Sequence, residues 1–503
     1  MKVFGIILLT SLAVLNARAA ENAAFFVATN TVVITTGLIN QLVAEARTNN
    51  PSLKAADSRV RSATLNAEGV RTWNDPMAAF GGSVYSSEGF KASEDGNLIY
   101  GIEQKLPLWG QPKLNRRIAE AGTSIQQARA GLRLEEVRRD ITKGLLATAF
   151  AQRVVEVGEQ DLAWLDATAK ATENKYRAGD AVLADTLQIQ NELAKRTDAL
   201  RTDRNRLAHE RLALNQLLNR PIDAPWPSLQ LPPVGPAIPL SQKLLTLALQ
   251  NEPKLKVMTQ EIKQAQATAD LTRKSRLPDV SLGVEGRQYS GDGEFRSGMF
   301  TLSFSLPWFN EGKYHKDYER DKERQKTAED EREEQVLMVR EELHHLSVEN
   351  EADRREALLY GDEISTRAAQ ALTSRLADWE NGHGMFRDVL EARRTSLDSE
   401  LMSARATAEQ NEILAELVLW TGLENIDALA PLANEPSITP DHDHSTDGSL
   451  SATNTVTAKP AAVHYYTCAM HPEVRSTDPD GKCPICQMPF FPVDGISAEP
   501  KKQ

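Results

Sequence analysis

The sequence has little cysteine, few aromatic residues and no long apolar run. Only 3 of 503 residues are cysteine, and all of them lie beyond residue 467. The large body of the chain therefore uses no disulfide, and disulfide-dense scaffolds are excluded. No stretch of about 18 apolar residues occurs, so no helix spans a bilayer. That test does not reach a membrane β-barrel, whose strands carry a weaker signal. Positive charge is also short. Lys and Arg number 58 against 70 Asp and Glu, a net charge of -12, which argues against nucleic acid as a partner, because phosphate contacts need a basic face. What is present suits a folded chain. A hydrophobic fraction of 41% excludes wholesale disorder, and the length suggests roughly two to four units of domain size.

Lys2 gives a basic start, Val3 to Leu15 is apolar apart from Thr10 and Ser11, and Ala17-Arg18-Ala19 forms an A-x-A site. This predicts a secretory signal peptide over residues 1–19, cleaved before Ala20, and not an anchor. No Cys stands near the site to carry a lipid.

The body is a duplication with an offset near 200 residues. Asn49-Asn50-Pro51-Ser52-Leu53-Lys54 matches Gln250-Asn251-Glu252-Pro253-Lys254-Leu255-Lys256. Leu106-Pro107-Leu108-Trp109 matches Leu306-Pro307-Trp308-Phe309. Tyr176-Arg177-Ala178-Gly179, followed by Asp185, matches Trp379-Glu380-Asn381-Gly382, followed by Asp388. The matches keep their order, which gives repeats at 20–220 and 241–432. The join, 221–240, holds seven prolines. Proline fixes φ and lacks a donor, so the join is an extended connector.

Each half reads helix, strand, strand, very long helix, turn, helix. In the first, a helix is expected over Leu38 to Thr72, strands near Met77 to Tyr85 and Leu98 to Leu106, and helices over Lys113 to Arg177 and Asp180 to Asn219. Leu98, Tyr100, Ile102 and Leu106 alternate with Gly101, Glu103 and Lys105. Val280, Leu282, Val284 and Gly286 alternate with Ser281, Gly283, Glu285 and Arg287, and Phe300, Phe304 and Leu306 with Thr301, Ser303 and Ser305. Period two means one apolar and one polar face. Two isolated hairpins in a helical chain lack cover. Lipid outside and water inside is one solution, if copies join and leave no edge. Leu114, Ile118, Ala121, Ile125, Ala128 and Leu132 form a heptad seam, and Leu193, Leu200, Leu207 and Leu214 recur every seven residues. Such seams pack neighbouring helices. The long helix would run about 100 Å, and the N-terminal helix, stacked end to end on the shorter return helix, would supply the missing length.

These residues resemble the TolC family of outer-membrane efflux channels, over roughly Leu38 to Leu423. The first turn is similar to the family's Y-x-x-G-x-x-x-x-x-D pattern, and Gly382 with Asp388-Val389-Leu390-Glu391-Ala392 to its second copy. The Leu-Pro segments resemble the strand-to-helix junctions. The resemblance implies a mainly α fold with a small β part. It implies a homotrimer that shares a helical periplasmic barrel and a twelve-stranded outer-membrane β-barrel, four strands from each protomer. It implies passive conduction rather than enzyme activity, with a periplasmic adaptor (membrane fusion protein) and an inner-membrane resistance-nodulation-division pump as partners. Arg177, Ala178, Gly179, Asp180 and Asp185, with Asn381, Gly382, His383, Gly384 and Asp388, would form the tunnel entrance that meets the adaptor. Trp379 in place of tyrosine and the His383-Gly384 pair depart from the pattern.

After Pro431 the composition shifts to Ser, Thr, Pro, Asp and Ala, which predicts a flexible linker over 433–463. It contains Asp441-His442-Asp443-His444, a run that suits weak cation binding or plain solvation. Beyond it stand Cys468, Met470 and His471, then Cys483, Cys486 and Met488. Three Cys and one His suit a tetrahedral ion, and added thioethers favour Cu(I) or Ag(I). A structural zinc knuckle, and a Cys483–Cys486 disulfide that leaves Cys468 free, are the other readings. Residues 464–494 also resemble the heavy-metal-binding domain of copper and silver export ATPases and efflux adaptors, with Ala469 and Gln487 as departures. The resemblances together lead to an expected outer-membrane channel for heavy-metal ions, its helical body and tail in the periplasm. Export of organic compounds or protein, and a secreted coiled-coil scaffold, are the rival expectations.

Overall fold

A computed structural model describes residues 31–84, 96–179, 182–289 and 293–438, together with the strand backbones at 465–467, 475–476 and 491–493. The signal peptide, Tyr85, Asp180, the Asp441–His444 run and all six Cys, Met and His candidates lie outside the described residues. The chain divides into two units, 1–440 and 441–503.

In the first unit the chain begins with β1 (Thr31–Val33), then α1 (Thr36–Asn49) and α2 (Pro51–Gly69). The single helix expected over Leu38 to Thr72 is thus two. Asn50 leaves the helical region at φ -64°, ψ 124°, and its side chain accepts from Ser52 N at 2.8 Å. It closes α1 and caps α2, and Pro51 sits at a first helical position, where its missing donor costs nothing. The second half repeats the device. There α5 (Gln242–Asn251) gives way to α6 (Pro253–Lys274) at Glu252, whose carboxylate accepts from Leu255 N. The asparagine-proline match found in the sequence is therefore a helix break.

The strands β2 (Met77–Val84), β3 (Gly96–Lys105), β5 (Val280–Tyr289) and β6 (Phe295–Phe304) form one antiparallel sheet in the order β2-β3-β5-β6. The two hairpins are therefore joined, through β3 and β5. Register sets the faces, because directly opposed residues share one. Phe80 opposes Tyr100, Ile102 opposes Val284, Val284 opposes Phe300, and Leu282 opposes Leu302. That face is apolar and uncovered, with Phe80 exposed by 81% and Phe300 by 69%. The opposite face holds Glu103, Lys105, Ser281, Glu285, Arg287 and Thr301. Among the described residues β2 and β6 have no strand beyond them.

The long helices follow. In the first half α3 spans Gln111–Ala178 and α4 returns over Leu183–Leu218. In the second, a 3-10 turn (Pro307–Asn310) leads into α7 (Glu311–Leu358). A π-helical stretch, Leu359–Ile364, joins α7 to α8 (Ser365–Glu380), and α9 returns over Phe386–Thr421. Both helical seams are used: Ile125, Leu200, Leu207 and Leu214 are buried. Next to the sheet the packing order is α2-α3-α6-α7; further away α4 and α9 flank α3. The expected end-to-end stacking is present. Asn50 Nδ2 donates to the Leu217 carbonyl at 2.8 Å, and Arg220 grips the Glu45 carboxylate with two bonds of 2.6 Å.

The connector is extended, as its prolines require, but it is also anchored. Its β4 (Ser228–Gln230) pairs in parallel with β1. Buried amides from the helices satisfy its backbone. Asn215 donates to the carbonyls of Ile222 and Ala224 and accepts from Trp226 Nε1 at 2.7 Å. Gln410 accepts from Gly235 N at 2.8 Å and donates back to its carbonyl at 3.0 Å. Asn350 accepts from Ile238 N at 3.0 Å.

In the second unit β7 (Tyr465–Thr467) is the middle strand, between β8 (Arg475–Ser476) and β9 (Phe491–Val493), both antiparallel to it.

Candidate functional site

The two helical turns end the long helices in the same way. At the first, Gly179 has φ 88° and its N–H reaches the carbonyls of Lys175 and Tyr176. At the second, Gly382 has φ 77°. Space around both glycines is open, so it is the left-handed backbone and not crowding that calls for glycine. Arg177 and Ala178 are exposed, and Arg177 pairs with Glu173 at 2.6 Å, an exposed contact worth little. Asn381 ends α8, and the amides of His383 and Gly384 both donate to the Asp378 carbonyl, at 2.9 and 3.1 Å. His383 itself is exposed. Asp185 and Asp388 stand in the first turns of α4 and α9, where a carboxylate is favoured by the unpaired amides.

The structure brings the two turns together. Trp379, the departure from the tyrosine pattern, is only 9% exposed, whereas Tyr176 in the first copy is 43% exposed. The Trp379 ring packs on Phe386 with centroids 5.2 Å apart, in a cluster with Leu165, Ile189, Val389 and Leu390. That cluster draws on both halves. Lys175 Nζ lies 4.1 Å from the Trp379 ring centroid and donates to the Glu380 carbonyl at 3.4 Å.

Behind the turns, ion pairs lock three helices around a cleft of about 240 Å³. Asp161 on α3 accepts from Arg393 Nε on α9 at 3.0 Å and lies 3.5 Å from Arg196 Nε on α4. Arg394 reaches Glu192 at 2.7 Å. Burial pushes the Glu192 carboxyl up, but hydrogen bonds from Arg394 and Lys195 outweigh it and hold the group below the usual carboxylate range. The sequence did not reveal this network. Asp161 and Arg393 are separated by 232 positions, and each alone reads as a solvated helix charge.

Residues 42–220 and 244–423 match the family described as outer membrane efflux protein. The chain belongs to the outer membrane efflux protein family. It is a passive channel and not an enzyme. Solved structures agree in fold. The outer membrane protein VceC of Vibrio cholerae is 18% identical, with a TM-score of 0.64 over 77% of this chain and 96% of that one. CusC, described in connection with transmembrane channel formation, is 18% identical with a TM-score of 0.66, covering 76% and 92%. The open MtrE channel of Neisseria gonorrhoeae is 20% identical with a TM-score of 0.62, covering 77% and 89%. No curated protein sequence matches.

The efflux channel carries its second candidate site in the tail. The backbone register sets Thr467 opposite Phe491. Thr467 and Phe491 are thus held one strand spacing apart, about 5 Å, and the Cys, His and Met set falls between these two residues in sequence. Three thiols, one imidazole and two thioethers are a donor set that fits a soft cation. Among the described residues no group of three or more His, Cys, Asp or Glu has the placement to hold a metal. Residues 465–493 match the heavy metal binding domain.

Proposed function

We propose that three copies of this chain close their four-stranded sheets into one barrel across the outer membrane. The barrel would continue into the helical tunnel and pass heavy-metal ions, copper or silver, out of the cell. One observation carries the metal reading: a heavy-metal-binding segment is fused to an efflux channel in one chain. The sheet supports the membrane reading. Its apolar face is uncovered and both edges are unpaired among the described residues. Four strands do not close a membrane barrel, whose smallest forms have about eight, whereas three such sheets give twelve.

In this reading the glycine turns, with Asp185 and Asp388 behind them, face a periplasmic adaptor, and an inner-membrane resistance-nodulation-division pump supplies the energy. The tail lies in the periplasm. Cys468, His471, Cys483 and Cys486, with Met470 and Met488, would hold the ion as cargo in transit, through thiolates and thioethers that select soft monovalent ions. The decisive measurement is metal identity and stoichiometry on the purified protein, with and without the residues beyond Asn434. Expected is one Cu(I) or Ag(I) per tail, lost on truncation, and greater copper or silver sensitivity in cells lacking the gene. A tail that holds only zinc, in cells of unchanged sensitivity, sinks the heavy-metal reading and leaves an exporter of organic compounds.

A further inference from the structure

Where the sheet meets the helices, charge is distributed unevenly between the two repeats. In the first, the chain leaves α2 through Arg71 and Trp73, and enters α3 through Trp109, Lys113, Arg116 and Arg117. Arg116 donates to the Val70 carbonyl at 3.3 Å, so the two segments are neighbours. Gln104 donates to the Asn74 carbonyl at 2.8 Å. Gln104 alternates in step with Tyr100 and Ile102, which places the Trp73–Asn74 segment at the rim of the apolar face. Trp73 and Trp109 are 55% and 45% exposed. Arg71, Lys113, Arg116 and Arg117 are exposed, and among the described residues none of them makes an ion pair. Glu68, Asp75 and Glu120 are the flanking carboxylates in sequence.

The second repeat pairs most of its cations at the same place. Arg276 pairs with Glu311 at 3.4 Å, Lys316 with Glu319 at 2.6 Å and Arg320 with Asp317 at 2.9 Å. Lys274 and Lys313 also make no ion pair among the described residues, so the second repeat keeps two such cations against four in the first.

Exposed indole rings at the border of an apolar band suit the membrane–water interface. Unpaired guanidinium groups beside them suit phosphate, which their fork binds with two bonds. We propose that Arg71, Lys113, Arg116 and Arg117 bind the phosphates of anionic phospholipids in the leaflet next to the helices, with Trp73 and Trp109 seated among the headgroups. This rests on the membrane-spanning reading above and adds a lipid preference to it.

The test reconstitutes the full chain into vesicles of phosphatidylethanolamine alone, or mixed with phosphatidylglycerol, and measures by mass spectrometry the lipid retained after re-extraction. Expected is enrichment of phosphatidylglycerol. Each Arg→Gln change in the series Arg71→Gln, Arg116→Gln, Arg117→Gln should lower it by about fivefold. The triple Arg→Lys variant should keep most of it, which guards against a folding defect. Three results overturn the proposal: no enrichment with the natural chain, enrichment unchanged in the triple Gln variant, or displacement by excess soluble glycerol phosphate. Flotation with vesicles of phosphatidylethanolamine alone separates the two layers of the argument. A chain that floats without enrichment loses only the lipid site, whereas one that floats with no vesicle loses the membrane-spanning reading as well.

Discussion

Lys175 stands over the ring of Trp379, its Nζ 4.1 Å from the centroid. One residue comes from each repeat, so this contact ties the two turns to each other. The tryptophan carries most of the effect, because it is buried against Phe386. Trp379→Ala should destabilise the helical body by about 3 kcal/mol, through lost burial and the cavity left behind. Lys175→Ala should cost only about 0.5 kcal/mol. Thermal unfolding of the two variants checks the ranking; equal losses would mean that the cation, and not the packing, joins the turns.

The Asp161 network makes a separate prediction. Removing Arg393 leaves the buried Asp161 with only the longer 3.5 Å approach of Arg196. Arg393→Ala should cost about 2 kcal/mol and raise the resting conductance of the reconstituted channel, because the turn end of α9 is then held less tightly to α3. The Glu192 carboxyl titrates below its ordinary range. Its contribution is present above the unfolded value and fades as pH falls through the folded one, so the link to Arg394 should weaken at pH values below the ordinary carboxylate range. A conductance that is unchanged in Arg393→Ala would show that these pairs do not hold the turns together.

Asp353 behaves in the opposite sense. Burial and the neighbouring Glu409, Glu349 and Glu356 push its carboxyl up to about 6. The folded chain therefore holds this proton more tightly than the unfolded one, and stability falls as pH rises from about 4 through 6. Asp353→Asn should raise the melting temperature at pH 7.5 and lose that advantage near pH 4. A benefit of equal size at both pH values would argue against charge as its source.

Asn215 offers the cleanest test of the connector. Its side chain is 1% exposed and serves two carbonyls and the Trp226 indole. Asn215→Ala leaves those groups buried without partners, at a cost of about 2–3 kcal/mol. Hydrogen exchange should rise along 221–231 in particular; exchange that rises evenly over the chain would mean that the connector is not a local unit.

Much of this fold is visible in the residues, and the reasons are local. Alternation around Tyr100, Val284 and Phe300 marks strands because side chains swap faces at every step. Gly179 and Gly382 mark the turns because few other residues accept their backbone angles. The helix break at Asn50 was in view as a repeated motif, but its meaning depends on the cap that its own side chain makes. The π-helical stretch Leu359–Ile364 has no comparable local mark. Gly382 lies 75 positions beyond Pro307, whereas Gly179 lies 72 beyond Pro107. The second long helix thus has surplus residues, and the stretch adjoins α9, against which they must fit. Pairing of β4 with β1, and the reach of Arg393 to Asp161, depend on which distant helices become neighbours. No window of sequence records that.

A single copy of this chain is an awkward object in water. The rims of β2 and β6 offer hydrogen bonds to any passing extended chain, and the greasy side between them invites clumping. On the three-copy barrel proposed above, each closed ring would remove six such rims at one stroke and confine the hazard to the interval between release of the chain and its meeting with two others.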